Sequence, residues 1–235
     1  MQLKGLEDRV VLVTGAGGGI GRALCATFAD QGARVVAADL RAPDVPAALT
    51  VACDVTDEQS VDAAFAQAEA ELGHVDVLVL NAGIYWIKPF EQTSLADWRT
   101  MLDVNATGAF LCAKRALPRM REAGWGRVVA IGSSAGITGG ANSVAAYAAS
   151  KAAVMALAKS IANEYAGSGV LANALAPALI DTDMIGSMPH MRDKVPVGRL
   201  GTPQDVADLV AFLCSEHGSF ITGATVDVNG GFLVR

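Results

Sequence analysis

The amino-acid sequence predicts an α/β fold: a doubly wound parallel sheet with helices on both faces, formed by residues 1–235 as one domain. Three observations carry that prediction. Short continuous apolar runs, the mark of strands buried on both faces, recur along the chain. Stretches of helical length separate them, which calls for parallel pairing through right-handed crossovers. The first apolar run ends in a glycine-rich turn that leads straight into a helix, the junction at which open α/β sheets bind ligands.

Taken in order, residues 9–15 (RVVLVTG) read as the first strand, and a helix follows over 19–31 with Leu24 and Phe28 on one side. Residues 33–39 and 49–54 are the second and third strands. Residues 57–72 form an amphipathic helix, with Val61, Ala64, Phe65, Ala68 and Leu72 at helical spacing. The fourth strand is 75–83. Ser94, with Asp97 three residues on, opens a long helix over 95–123 in the manner of a capping box. Residues 126–134 are the fifth strand, 144–165 a helix and 169–177 the sixth strand. Thr202-Pro203-Gln204-Asp205 starts another helix, with proline at its first position, and 224–231 close as the seventh strand. No linker, repeat or low-complexity tract divides the chain.

Composition narrows the function classes. Apolar residues make up 52% of the chain and charged ones 18%, which fits a packed core rather than disorder. The net charge of −6, without a basic cluster, argues against nucleic acid or an anionic membrane as partner. No apolar run reaches the ~18 residues that span a bilayer, and the first residues lack a secretory pattern, so the expected location is the cytoplasm. Cys25, Cys53, Cys112 and Cys214 are scattered, without a CxxC pair or a neighbouring histidine. They read as small buried hydrophobes, and no metal site is expected. His74, His190 and His217 stand alone.

Candidate chemistry starts at TGAGGGIG (14–21). Glycines here turn the chain sharply, admit a phosphate to the backbone and let helix and strand pack closely. The helix N-terminus offers free N–H groups and a partial positive charge to a pyrophosphate. Arg22-Ala23 after Gly21 excludes a Walker loop. Alone, such a turn also serves where no ligand binds. Asp39 ends the second strand near the offset at which an acid meets an adenosine ribose, and its charge opposes a 2′-phosphate, so it favours NAD over NADP. Arg41, two residues on, is placed to accept that phosphate instead. Asp54, after the third strand, either reaches an adenine edge or caps a turn. In YAASK (147–151) a phenol and an ammonium lie four residues apart, one helical turn apart on one face, with only small residues between.

Thr14-Gly-x-x-x-Gly-x-Gly21, Asn81-Ala82-Gly83, Asn105, the Ser133/Ser134 pair and Tyr147-x-x-x-Lys151, in that order, resemble the classical short-chain dehydrogenase/reductase family, over essentially the whole chain. The resemblance implies a Rossmann-type sheet of seven parallel strands and a nicotinamide cofactor at its carboxyl edge. It makes Tyr147 the general acid/base, its phenol pKa lowered by the Lys151 ammonium and the oxidised nicotinamide, with Lys151 also on the ribose. It gives the substrate oxygen to a serine. Strand register selects Ser133, whereas counting back from Tyr147 selects Ser134. Asn105 supports a proton relay. Gly15, Gly19, Ile20 and Gly21 fall to the phosphates, Asp39 and Leu40 to the adenosine ribose, and Asp54 and Val55 to the adenine. Asn81, Ala82 and Gly83 fall to the adenine-ribose side, and Pro177, Ile180 and Thr182 to the carboxamide. Alanine stands at position 178, where the family usually has a more freely turning glycine.

The family's pocket loops here supply Tyr85, Trp86 and Ile87, then Ile137 and Asn142, then Met184, Ile185 and Met188. They form either an apolar, aromatic-edged site for a neutral alcohol or packing on the protein's own loops or another subunit. The chain is similar to 3-oxoacyl-(acyl-carrier-protein) reductases, but those commonly use NADPH and dock an acidic carrier on basic residues. Arg127 is present, while Ser168 stands where arginine is frequent. The expected activity is therefore an NAD-dependent oxidoreduction between a secondary alcohol and a ketone. A 3-oxoacyl reductase using NAD(P)H is the alternative, and a binding protein that has lost catalysis a third reading, opposed by the presence of all four catalytic-type residues. Alanine-rich helix faces fit the family's usual homotetramer.

Overall fold

The computed structural model describes residues 2–141, 143–183 and 189–234. Among them, strands β1 (Val10–Thr14), β2 (Arg34–Asp39), β3 (Leu49–Ala52), β4 (Val77–Leu80), β5 (Gly126–Ile131), β6 (Val170–Pro177) and β7 (Thr225–Val228) form one parallel sheet in the order β3-β2-β1-β4-β5-β6-β7. Helices α1 (Gly19–Asp30), α2 (Glu58–Leu72), α3 (Leu95–Leu102), α4 (Gly108–Ala123), α5 (Ala135–Thr138), α6 (Ala145–Tyr165) and α7 (Pro203–Cys214) make the crossovers. Strand β1 pairs with β2 on one side and β4 on the other, so the winding reverses there and a crevice opens at the carboxyl ends of the strands.

Alternation along each strand feeds two cores. Val10 and Leu12 of β1 pack with Phe65 of α2, Met120 of α4 and Ile161 of α6 on one face. Val11 and Val13 pack with Phe28 of α1 and Val210 of α7 on the other. This two-sided burial explains the unbroken apolar runs. The four cysteines are buried and free. Burial pushes the Cys25 and Cys214 thiols up to about 12 and that of Cys53 to about 11, so these groups stay protonated and inert near neutrality.

Three departures from the sequence expectation bear on the site. The strands end sooner than predicted: Gly15, Cys53-Asp54, Asn81–Gly83 and Gly132–Ser134 lie beyond the ladders and line the crevice. The single long helix over 95–123 is instead two helices joined by a π-helical segment, Asp103–Thr107, where the Gly108 N–H reaches the Asp103 carbonyl. Finally, the short helix α5 follows Ser134, where the sequence predicts a loop.

Candidate active site

The glycine-rich turn is held from both sides. Gly15 has φ +64°, and a Cβ there would lie 2.7 Å from the Ala82 Cα; one on Gly21 would lie 2.2 Å from the Gly15 carbonyl oxygen. Asn81 Nδ2 donates to the carbonyls of Thr14 and Gly15, each at 2.9 Å, and the Thr14 hydroxyl oxygen accepts from the N–H groups of Asn81 and Ala82. The Asn-Ala-Gly stretch thus braces the turn. Gly18 caps α1 without a side chain, so no side-chain cap competes for the helix's first N–H groups.

Asp39 stands at the end of β2. Its Oδ2 accepts from the Gly17 N–H at 2.9 Å and its Oδ1 from that of Leu40 at 2.8 Å, which aims the carboxylate along the crevice wall. Arg22 is occupied: Nε donates to the Gly17 carbonyl and Nη1 to that of Asp44. Arg41 lines the same end. Asp54 caps a turn, accepting from the N–H and hydroxyl of Thr56, and also lines the crevice with Val55. Both readings of Asp54 therefore hold geometrically.

At the other end, α6 carries Tyr147 and Lys151 on one face. The Tyr147 phenol faces the Ser133 side chain, which favours its ionised form, and the Lys151 Nζ lies 5.9 Å from its ring centroid. The Ser133 Oγ also accepts from the Ala135 N–H at 3.1 Å. Ser134 lines the cavity as well, its backbone N–H donating to the Pro177 carbonyl. Lys151 is buried and donates to the Ile131 carbonyl at 2.7 Å. Asn105, on the π-helical segment, is buried behind the crevice and does not line it. Its Oδ1 accepts from the Ile84 N–H at 2.8 Å, and its Nδ2 donates to the Ile84 carbonyl and the Ser150 hydroxyl. A Cβ on Gly83 would meet the Asn105 Oδ1 and the Lys151 Nζ at 3.2 Å each, so the two polar ends converge on one point.

A cavity of about 1520 Å³ joins these ends. Pro177, Ile180 and Thr182 line it after β6, with Thr182 against the start of α1. Ala178 makes an ordinary backbone hydrogen bond to Val228, and the left-handed residue is its neighbour Leu179, φ +53°. The glycine expected at 178 is thus not required by the backbone there. Tyr85 and Ile87 line the cavity; Trp86 and Ile137 do not. Ile137 sits on α5 and packs against the core, and the irregular chain around Trp86 has no period from which its direction could be read. Asn142, Met184, Ile185 and Met188 lie outside the described residues. The cavity also takes in Ile84, Thr138, Val144, Leu179 and Phe232, which the sequence reading missed. Phe232 was foreshadowed by its place just past the carboxyl end of β7, the edge where every other strand contributes.

The family described as enoyl-(acyl carrier protein) reductase matches residues 15–233. The chain is 43% identical to cis-4-hydroxycyclohexanecarboxylate dehydrogenase of Sinomonas cyclohexanicum, with 96% of each chain covered. It is 38% identical to 3-oxoacyl-(acyl-carrier-protein) reductase of Aquifex aeolicus over 98% of this chain and 99% of that one. Among solved structures, Thermoplasma acidophilum aldohexose dehydrogenase superposes with a TM-score of 0.93 at 37% identity, covering 99% of this chain and 97% of the other. The chain is a short-chain dehydrogenase/reductase.

As a member of that family it is an oxidoreductase acting on CH–OH groups, and the family binds nicotinamide cofactors. The residues present fit such a group. The unguarded α1 N-terminus faces a turn whose Gly15 and Gly21 leave no room for side chains, and the cavity runs from there to Tyr147. Among the protein's own groups, burial raises the Tyr147 phenol, opposed by the Ser133 side chain and reinforced by Tyr85. Burial also draws the Lys151 ammonium down to about 8.

Proposed function

We propose that this short-chain dehydrogenase/reductase is NAD-dependent and interconverts a secondary alcohol and a ketone, with Tyr147 as general acid/base. The observation that carries this reading is the grouping of Ser133, Tyr147 and the buried Lys151 at one end of a cavity whose other end is the glycine-rich turn and Asp39. A bound oxidised nicotinamide supplies the hydride acceptor. The chain supplies the proton chemistry: the Tyr147 Oη takes the hydroxyl proton of the alcohol, and the Ser133 Oγ orients the substrate oxygen. Lys151, with its ammonium near 8, holds or releases a proton close to neutrality. Asn105 fixes the Ile84 backbone and closes the site behind Lys151.

Asp39 favours NAD, since a carboxylate fixed by two backbone N–H groups repels a 2′-phosphate and Arg22 is already bound to two carbonyls. The cavity lining, with Ile84, Tyr85, Ile87, Val144 and Phe232, suits a carbinol on an apolar or alicyclic frame; the relative named for cis-4-hydroxycyclohexanecarboxylate takes such a ring with a carboxylate in addition. The carrier-protein alternative loses a support: Arg127 is buried, stacked on Trp125 at 4.4 Å and bonded to the Gly126 carbonyl, so it is not displayed for docking. A homotetramer formed through α4 and α6, with Phe110 of α4 half exposed, is our reading of the assembly, which light scattering tests.

The experiment is a titration with NADH and NADPH, followed by a screen of secondary alcohols with NAD⁺ and the Tyr147→Phe variant as control. Tighter NADH binding and turnover lost in the variant are expected. Tighter NADPH binding with turnover of a carrier-linked 3-oxo substrate would put the reductase reading in its place.

A further inference from the structure

The ring of Tyr147 is held by a second tyrosine. Tyr85, five residues beyond β4, meets it edge to face, with ring centroids 4.9 Å apart and planes inclined by 79°. Both rings line the cavity. Ser133 acts on Tyr147 at its hydroxyl end, about which the ring is left to tilt. An aromatic edge against the ring opposes the tilt, and such pairs carry a directional preference beyond their buried area.

Tyr85 is itself anchored at both ends of its loop. Its neighbour Ile84 is gripped by the Asn105 amide through both backbone groups, at 2.8 and 3.0 Å. Three residues on, the Lys88 N–H donates to the Ser143 carbonyl at 2.7 Å, tying the loop to the chain that enters α6. The Lys88 ammonium pairs with Asp97 of the α3 capping box. The π-helical segment, α3 and the α6 entry therefore converge on the stretch that carries Tyr85.

We propose that Tyr85 is a positioning residue for Tyr147: its edge-to-face contact holds the phenol where the Oη meets both Ser133 and the substrate oxygen. This rests on the reading of Tyr147 as the acid/base. The competing role is that of a passive wall for the substrate, which the same cavity position also permits.

The test separates kcat from KM for a secondary alcohol across pH 6–10 in Tyr85→Phe, Tyr85→Leu and Tyr85→Met, with NADH binding followed by fluorescence and Tyr147→Phe as the reference. Tyr85→Phe keeps the ring contact and is expected to hold kcat within about twofold. Since Tyr85 raises the Tyr147 phenol and the base form takes the alcohol's proton, loss of its hydroxyl is expected to move the ascending, acid limb of the profile to lower pH. Tyr85→Leu and Tyr85→Met, which lack an aromatic edge, are expected to lose about three- to tenfold in kcat with NADH affinity unchanged. If one aliphatic variant fails to bind NADH, the other and the Phe profile decide the matter. A raised KM with kcat intact in the aliphatic variants overturns the proposal in favour of the wall, and so does a Phe variant as impaired as the Leu variant. Turnover that survives in Tyr147→Phe is a different failure, sinking the acid/base reading itself.

Discussion

At the residue scale, Lys151 has the least comfortable position in the molecule. A buried ammonium with one carbonyl acceptor is held at the cost of its hydration, and its pKa falls from 10.5 to about 8. The unfolded chain therefore binds more protons than the folded one between about pH 8 and 10.5, so this group's contribution to stability rises with pH through that window. Below pH 8 both states are charged and the destabilisation is complete. Lys151→Met is accordingly expected to gain stability relative to the parent at pH 7, with an advantage that shrinks by roughly 2–3 kcal/mol by pH 10.5. Urea denaturation of both proteins at the two pH values measures it. An advantage independent of pH would mean that the amine is neutral, or hydrated, across the whole range. The same substitution is expected to abolish turnover, and the two effects together identify a residue kept for chemistry rather than for folding.

At the element scale, helix starts were legible and helix continuity was not. Ser94/Asp97 and Thr202/Asp205 both form full capping boxes, because the spacing of the two side chains alone dictates those bonds. Ser94→Ala is expected to cost ~1 kcal/mol, read as a lowered urea midpoint with an unchanged slope. The Lys88 ammonium on Asp97 makes the loss reach beyond α3, so a fall in kcat is expected to accompany it. The break at Asp103–Thr107 carried no local signal: every residue there tolerates a helix, and what selects the π-helical turn is Asn105 reaching Ile84 and Ser150 across the fold. For the same reason the motif positions on strand ends and helix faces were legible at the crevice, whereas the cavity wall was not. Trp86 falls outside it, and Leu179 and Phe232 inside, on loops whose course depends on distant partners, and Ile137 turns away on the short helix α5.

At the scale of the whole molecule, the sheet order sets the distance between recognition and reaction. Asp39 on β2 and Tyr147 behind β5 sit on opposite sides of the β1/β4 reversal, joined by one cavity, so a ligand spanning it touches both wings of the sheet. Binding of that kind stabilises the fold as a unit. At a hundred times its dissociation constant a ligand adds ~2.7 kcal/mol, which for a chain of this size raises Tm by roughly 5–10 °C. NADH is expected to give a shift of that size and NADPH a smaller one at equal concentration. Asp39→Ser removes the carboxylate while leaving the cavity open beside Arg41, so the two shifts are expected to converge, chiefly by a gain for NADPH. Gly21→Ala places a methyl against the Gly15 carbonyl and is expected to abolish both shifts. Equal shifts in the parent, unaltered in Asp39→Ser, would mean that the carboxylate held by Gly17 and Leu40 does not face the ribose, and the preference for NAD would then have no structural basis.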